Sequence, residues 1–230
     1  TVNAWVEQTV TSDLWIRPAH GLSNAPAAAF PPSISAEVAK IPFVEAFDRF
    51  RGRDVIFRDS IIMVGSGDFD VASRYGTMPM VHPRSEKAAI ARALKTNGVM
   101  ISESLASRFD LETGSSITLP TANGGRTFPI AGVYRDYSND RGEVVMHRAL
   151  YIDAYRDEAI NTIAIYLKKG SDPQAARAEI ERLLGAKYRV FAFTNATIRT
   201  EVMRIFDQTF VITYALLAVS LIVAVLGIVN

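Results

Sequence analysis

The chain has 230 residues, a length that allows one large domain or two small ones. Its 25 basic and 24 acidic residues leave a net charge of +1, so it has neither an acidic tail nor the basic field that gathers nucleic acid. It contains no cysteine, which excludes disulfides and thiolate chemistry.

The first fifty residues predict a strand, a helix and a second strand. Residues 1–12 have near-helical apolar spacing, which we interpret as the helical end of a preceding element. Residues 13–18 form an extended apolar run, and a loop rich in Gly, Ala and Pro follows it. SISAEVAK (33–40) then predicts a short helix, and FVEAFDRF (43–50) alternates apolar and polar residues as a strand does.

A second unit of the same kind is predicted near the end of the chain. NTIAIYLKK (161–169) alternates as a strand. The next segment, SDPQAARAEIERLLG, begins with Ser171 and Gln174 in capping-box spacing and predicts a helix that ends at Gly185. YRVFAF (188–193) completes the unit as another strand. Two such units pack naturally in the split β-α-β arrangement of ferredoxin-like folds, so the segment between them is predicted to be an inserted domain.

The inserted segment, residues 53–156, is predicted to be rich in short strands. Two helices are expected in it: SEKAAIARALK, bounded by Ser85 and Asn97, and SLASRF, which follows Ser102. A tight hairpin is expected at Asn123-Gly124-Gly125. The predicted strands are IIMVG, GVMIS, SSITLP, TFPIAGVYRDY and EVVMH.

The end of the chain predicts a transmembrane helix. Residues 210–229, FVITYALLAVSLIVAVLGIV, carry no charge, and twenty helical residues cover roughly the 30 Å of a bilayer's hydrocarbon core. A buried core helix normally keeps a polar stripe, and this segment is apolar on all sides. Residues 197–209 predict an amphipathic helix, and no Pro or Gly separates it from the span. We therefore expect one continuous helix over both segments.

The charges before the span leave its orientation open. Arg199 and Arg204 by themselves favour a cytoplasmic start of the span, but Glu201 and Asp207 are interleaved with them. Long domains also cross membranes largely independently of their charge, so the count of basic residues does not predict the orientation of the span here.

The motifs of common catalytic and binding sites are missing. There is no GxxxxGK[ST] sequence, so the chain is not expected to hydrolyse ATP. VGSGDFD (64–70) lacks the third glycine of a dinucleotide fingerprint and is interpreted as a plain turn with no helix after it. Asp136, Ser138 and Asp140 have the spacing of a calcium loop, but Arg141 replaces its glycine. We predict no catalytic, cofactor-binding or metal-binding residues, and no enzyme.

Three stretches of the chain resemble a known family. They are GVMISESLASRFDLETGSSITLP (98–120), RTFPIAGVYRDYSNDRGEVVMHRALY (126–151) and TEVMRIFDQTFVITYALLAVSLIVAVLGIVN (200–230). Their pattern is similar to that of the extracytoplasmic core domain of MacB-like, FtsX-type ABC transporter permeases. The resemblance covers most of the chain and is weakest in the first fifty residues.

The resemblance implies an α+β fold in two lobes. Two split β-α-β units, residues 13–52 and 157–196, would form a membrane-proximal lobe of ferredoxin-like or porter-like type, and residues 53–156 an inserted β-rich distal lobe. Residues 1–12 would then lead out of a preceding span, 197–209 would be a connecting helix, and 210–230 the next transmembrane helix. The folded part would lie on the periplasmic side of a bacterial inner membrane.

The resemblance also implies a function and partners. The domain would couple ATP-driven movement of membrane helices to export, to release of lipoproteins or peptides, or to envelope signalling. ATP would bind to a partner ATPase, in a separate subunit or domain. A second permease copy or a homologous permease, the lipid bilayer, and a periplasmic adaptor or lipoprotein substrate are the other expected partners; nucleic acid is not. The helix leaving the domain would be marked by Arg199, Arg204, Phe206, Asp207 and Phe210.

A second hypothesis belongs to a different functional class. The same apolar end is typical of a tail-anchored extracytoplasmic binding or sensor module with one membrane span. The two hypotheses differ in the sequence around this chain, because a permease requires further hydrophobic spans on both sides.

Overall fold

The computed structural model describes residues 11–19, 29–76, 78–136, 139–197, 199–200, 204, 217 and 220. The strands in this part of the chain are β1 (Leu14–Pro18), β2 (Val44–Phe57), β3 (Ser60–Gly67), β4 (Met80–His82), β5 (Val99–Ser102), β6 (Ser116–Thr121), β7 (Gly124–Tyr134), β8 (Glu143–His147), β9 (Thr162–Leu167) and β10 (Val190–Thr194). The helices are α1 (Ile34–Ala39), α2 (Phe69–Tyr75), α3 (Glu86–Thr96), α4 (Glu103–Phe109), α5 (Arg148–Tyr155) and α6 (Pro173–Tyr188).

All ten strands belong to one mixed sheet. Its order is β10-β1-β9-β2-β3-β8-β5-β7-β4, and β6 pairs with β7. The 14-residue strand β2 joins the two halves, because its first part pairs with β9 and its second part with β3. The predicted α+β class is thus confirmed.

One half of the sheet contains the two strand-helix-strand units. Its strands run β10-β1-β9-β2, and each neighbouring pair is antiparallel. Helix α1 follows β1, and α6 follows β9, so the two predicted units are confirmed and interleave in one sheet. Their apolar residues form a shared core that includes Leu14, Ile16, Ile34, Ile165 and Ile180.

The other half of the sheet is packed on both faces. Side chains alternate along a strand, so Val144 and Met146 of β8 face one core while Val145 faces another. Helices α4 and α5 and strand β6 cover the first face. Helices α2 and α3 contribute to the core on the second face, which we call the α3 face; it includes Phe69, Ala89, Ile90, Ala93 and Met100.

Local capping signals place two of the helices where the sequence predicts them. The Ser85 hydroxyl accepts the Ala88 N–H at 3.3 Å at the start of α3, and Asn97 ends that helix at φ +49°. The Ser102 hydroxyl accepts the Leu105 N–H at 3.3 Å at the start of α4. The predicted β6–β7 hairpin is also present, with Gly124 at φ +100°.

The predicted bounds of α6 are wrong at both ends. Asp172, not Ser171, caps the helix, because its carboxylate accepts the N–H groups of Gln174 and Ala175. The helix also continues through Gly185 to Tyr188, and Arg189 takes the left-handed position at φ +49°. A glycine inside a helix is unfavourable by about 1 kcal/mol, and packing of Tyr188 against the neighbouring core offsets this.

The predicted turn at VGSGDFD is also wrong, because α2 begins inside it at Phe69. The start of α2 depends on contacts, described below, with residues of β2 that are distant in the sequence. The sequence-based prediction also lacks α5 and β4.

Most of the predicted membrane-associated segment lies outside the described residues. This holds for residues 1–10 and for nearly all of 201–230, so the expected N-terminal helix and transmembrane span are not described. Asn195 to Thr197, Arg199 and Thr200 are helical and belong to a unit, Asn195–Asn230, separate from Thr1–Thr194. Among the described residues, no helix has the length and apolar character to cross a membrane. The predicted segment boundaries therefore stay predictions.

Candidate functional site

One face of strand β3 packs against the core opposite the α3 face, and side chains cover its other face only in part. Its sequence is SIIMVGSG, and Ile62 and Val64 are fully buried in the core opposite the α3 face. Because side chains alternate, Met63, Gly65 and Gly67 point the other way. The two glycines have no side chains, so other groups can approach the backbone on this side.

Side chains from the neighbouring strands fill part of this open face. A Cβ atom placed on Gly65 would lie 2.9 Å from the Phe50 ring and 3.0 Å from Glu143 Oε1. A Cβ atom on Gly67 would lie 3.5 Å from Asp48 Oδ1. The β2 and β8 side chains, two of them acidic, therefore lie directly over the glycines of β3.

A cavity of about 400 Å³ lies above these residues, and we call it the β3 pocket. Strands β1, β2, β3, β7 and β8 form its base and sides, and α2 and residues 78–79 also line it. Its apolar lining is Trp15, Phe50, Met63, Phe69, Ala72, Met78, Pro79 and Val145. The remaining lining residues are Asp48, Ser66, Gly67, Tyr134, Arg135, Asp136 and Glu143.

Glu143 is a buried acid in this pocket, with 8% of the residue exposed. The Tyr134 hydroxyl donates to its Oε2 at 2.9 Å, and its backbone N–H donates to the Ser102 hydroxyl at 3.0 Å. The pKa of Glu143 is raised from 4.5 to about 7, mainly by burial and also by the charge of Asp136 and a hydrogen bond with it, while the hydrogen bond from Tyr134 lowers it. Burial also raises the pKa of Tyr134 well above 10.

Asp48 is the second acid of the pocket. Its Oδ1 accepts the backbone N–H of Asp68 at 2.6 Å. Burial of the carboxyl raises the pKa of Asp48 from 3.8 to about 7; the Asp68 N–H lowers it and the Asp68 charge raises it. The pocket thus holds two carboxyl groups whose pKa values lie well above their ordinary values, mainly because of burial.

Arg49, whose charge lowers the pKa of Asp48, forms its ion pair with a different acid, Asp68. Arg49 Nε and Nη2 donate to the two carboxylate oxygens of Asp68 at 2.8 and 2.7 Å, and the Arg49 backbone N–H donates to Asp68 at 2.9 Å. Asp68 is 4% exposed and directly precedes α2, so this contact fixes the helix beside the pocket. Among the described residues, no Lys, Arg or His forms an ion pair with Asp48 or Glu143.

The side chain of Trp15 brings a buried hydrogen-bond donor to the residues that line the pocket. The indole N–H of Trp15 is buried and makes no hydrogen bond within the described residues. Other atoms of Trp15 line the pocket, while its indole nitrogen is inaccessible to water.

The described residues that line this pocket do not include Arg199 or Arg204, two of the site residues predicted from the sequence. Arg199 and Arg204 are helical residues of the separate unit, Arg199 half-buried and Arg204 exposed. Phe206, Asp207 and Phe210 lie outside the described residues. Their role at the exit of the connecting helix stays a prediction.

Asp48 and Glu143 were not predicted from the sequence as site residues. The available signal was the pair of glycines in VGSG, which lie on the strand face opposite Ile62 and Val64 and indicate a close approach of other groups. Within the described part of the chain, no three His, Asp or Glu side chains are placed to hold a metal ion. The expectations of no metal, no cofactor and no catalytic residue stay predictions.

A family model and one curated relative match most or all of this chain. The model of the MacB-like periplasmic core domain matches residues 2–183. The uncharacterised ABC transporter permease protein Rv0987 of Mycobacterium tuberculosis is 29% identical over 236 residues, which cover 100% of this chain and 27% of that protein. The chain thus spans little more than a quarter of the length of this relative.

Two solved structures share the fold at low sequence identity. The periplasmic region of MacB from Actinobacillus actinomycetemcomitans aligns with a TM-score of 0.59 at 14% identity, over 86% of this chain and 95% of that one. The extracellular domain of the noncanonic ABC-type transporter YknZ from Gram-positive bacteria aligns with a TM-score of 0.55 at 12% identity, over 80% and 99%. With the family model matching well over half of its residues, the chain belongs to the family of MacB-like periplasmic core domains.

Proposed function

We propose that this domain is part of an ABC transporter permease and couples ATP-driven movement of membrane helices to work outside the membrane. The match of residues 2–183 to the MacB-like periplasmic core domain carries the proposal. The output is export, release of lipoproteins or peptides, or signalling across the envelope. The similarity to a permease of Mycobacterium tuberculosis over the whole chain supports the same assignment.

The composition of the end of the chain supports attachment to a membrane. Residues 210–229 carry no charge, and thirteen of these twenty residues are Phe, Val, Ile or Leu. Transfer of such a segment into a bilayer is favourable by roughly 5 kcal/mol on an insertion scale. In this proposal, residues 210–230 cross the inner membrane of a bacterium, and the folded domain lies on its periplasmic side.

Helical residues follow the last strand of the chain directly, with no loop residue between them. Strand β10 ends at Thr194, and Asn195 is already helical. Within the later unit, the Thr200 hydroxyl donates to the Ala196 carbonyl at 2.9 Å, one turn earlier. No Pro or Gly occurs between Ala196 and Leu226, so the sequence favours an uninterrupted helix that transmits movement. Arg199, Arg204, Phe206, Asp207 and Phe210 mark its exit from the domain in this proposal.

The proposal requires partners. A partner ATPase, as a separate subunit or domain, binds and hydrolyses ATP, because this chain has no P-loop sequence. A second permease copy or a homologous permease completes the membrane part. A periplasmic adaptor or a lipoprotein substrate is the expected partner outside the membrane.

The experiment that tests the coupling is an insertion of Gly-Gly after Gln208 in the full permease, reconstituted with its ATPase in nanodiscs. ATP is expected to change hydrogen exchange of the folded domain in the unmodified complex. The insertion should remove this change, and uncouple export, while ATP hydrolysis stays measurable, because two glycines interrupt the helix.

The matched control is the same insertion between Ala122 and Asn123, in the exposed turn of the β6–β7 hairpin. Loop tips tolerate insertions, so this variant should keep the ATP-dependent change. A Gln208 insertion with unchanged exchange and transport would contradict the coupling helix. Absence of any ATP-dependent change in the unmodified complex would favour the tail-anchored sensor module.

A further inference from the structure

We propose that the β3 pocket is a binding site for a hydrophobic amine, whose apolar body occupies the cavity and whose ammonium group binds at Asp48 and Glu143. The inference rests on described side chains of this domain and goes beyond the proposed coupling role. It holds or fails independently of whether the connecting helix transmits movement.

The cavity suits an apolar body of small-molecule size. Its volume of about 400 Å³ lies within the range typical of ligand sites in proteins. The lining combines the aromatic rings of Trp15, Phe50 and Phe69 with the flexible side chains of Met63 and Met78. Aromatic rings and methionines adapt to flat or irregular apolar ligands and also contact cations favourably.

The charge of the ligand follows from the two carboxyl groups. Glu143 is stabilised by the hydrogen bond from Tyr134, and Asp48 by the hydrogen bond from the Asp68 backbone, but no cation pairs with either within the described residues. A buried carboxylate without a cationic partner is unfavourable, and an ammonium group placed beside it offsets the loss of hydration. Gly65 and Gly67, which these two acids contact, lie about 6.6 Å apart along β3, so both acids border one cavity.

The other charged residues of the pocket do not reverse the preference for a cationic ligand. Arg135 lines the cavity, but its Nε pairs with Glu103 Oε2 at 3.2 Å, and both side chains are exposed. Asp136 adds a third carboxyl group to the lining. An anionic ligand would therefore meet repulsion, and a neutral ligand would gain only the apolar contacts.

The test uses energy transfer from Trp15 to a dansyl probe. The chain has two tryptophans, so a Trp5→Phe background leaves Trp15 as its single tryptophan, and the empty nanodiscs report the signal of the scaffold protein. Three probes share the dansyl group and a five-carbon arm, and end in an amine (dansylcadaverine), a hydroxyl or a carboxylate. Each is titrated into the chain in lipid nanodiscs, with empty nanodiscs as the blank.

The amine is expected to bind at least about tenfold more tightly than the alcohol, and the carboxylate most weakly. In the double variant Asp48→Asn/Glu143→Gln the amine should lose this preference, while the affinity for the alcohol stays within about twofold. Asp153→Asn removes an exposed acid that pairs with Arg126 and does not line the pocket. This control should therefore bind the three probes with the same affinities as the parent.

Three outcomes would overturn the inference. They are equal affinity for all three probes in the parent, a preference for the amine that survives in the double variant, and saturable binding without energy transfer from Trp15. The ratio of amine to alcohol affinity in the parent needs no substitution in the pocket, so it decides the question even where the double variant does not fold. Far-UV circular dichroism of each variant reports its folding.

Discussion

The Arg49 guanidinium binds both carboxylate oxygens of Asp68, at 2.8 and 2.7 Å, and thereby joins strand β2 to the start of helix α2. Asp68 is almost fully buried, whereas about a third of the Arg49 side chain is exposed. The pair anchors the helix that lines the β3 pocket, and its partners are 19 residues apart in the sequence.

Asp68→Asn is expected to lower the free energy of unfolding by about 1–3 kcal/mol, because it removes the acceptor charge and leaves the Arg49 side chain without its carboxylate. Urea denaturation measures the change. Asp153→Asn, which breaks exposed pairs with Arg126 and Arg156, should change the free energy of unfolding much less. Equal effects of the two substitutions would contradict a structural role for the Arg49–Asp68 pair.

Gly65→Ala is expected to destabilise the domain by about 1–3 kcal/mol, since the new methyl group would meet the Phe50 ring at 2.9 Å and Glu143 Oε1 at 3.0 Å. Gly185→Ala should instead stabilise it by about 0.5–1 kcal/mol, because Gly185 lies inside α6 with no atom within 4 Å of a Cβ. Thermal denaturation of both variants compares the same substitution at the two sites. Destabilisation by Gly185→Ala would show that α6 ends at Gly185, as the sequence predicted.

The two pocket acids should make the domain less stable as the pH rises from about 5 to about 8. The folded pKa of about 7 for Glu143 exceeds its ordinary value of 4.5, so the folded state binds more protons in this window. The stability that Glu143 contributes is therefore complete below about pH 4.5 and is lost as the pH passes 7. Over this range its contribution to the free energy of unfolding falls by about 3 kcal/mol. Asp48, with its pKa raised from 3.8 to about 7, acts in the same direction.

Glu143→Gln tests this dependence, because the amide keeps the shape and the hydrogen bond from Tyr134 but does not ionise. Compared with the parent, the variant should gain stability at about pH 8 relative to about pH 5. Guanidinium denaturation at the two values measures the difference. A parent and variant whose stabilities change in parallel with pH would show that Glu143 does not ionise in this range.

Local signals in the sequence were sufficient to predict the helices whose capping residues lie next to them in the chain. Ser85, Asn97 and Ser102 define α3 and α4 through contacts within a few residues. Helix α2 could not be predicted in this way, because the carboxylate of Asp68 is held by Arg49 on a different strand. At the end of α6, tertiary packing of Tyr188 prevails over the helix-ending tendency of Gly185.

The pocket depends on strand register, which the sequence does not reveal. Gly65 pairs with Gly52 of β2 on one side and with Val145 of β8 on the other. This double pairing brings Asp48 and Glu143, 95 positions apart in the chain, to the same cavity. The glycines of β3 indicate an open face, but only the order of the strands shows which side chains occupy it.

The central claim, that this domain works outside the cytoplasm, is tested most directly by cysteine labelling in cells. The chain has no cysteine, so Asp153→Cys, at an exposed position, gives it one reactive thiol; any cysteine elsewhere in the parent permease is replaced. Spheroplasts are treated with a membrane-impermeant maleimide, and a cysteine in the partner ATPase reports leakage. We predict full labelling at position 153 before lysis, with none on the ATPase. Labelling at position 153 only after lysis would contradict the account.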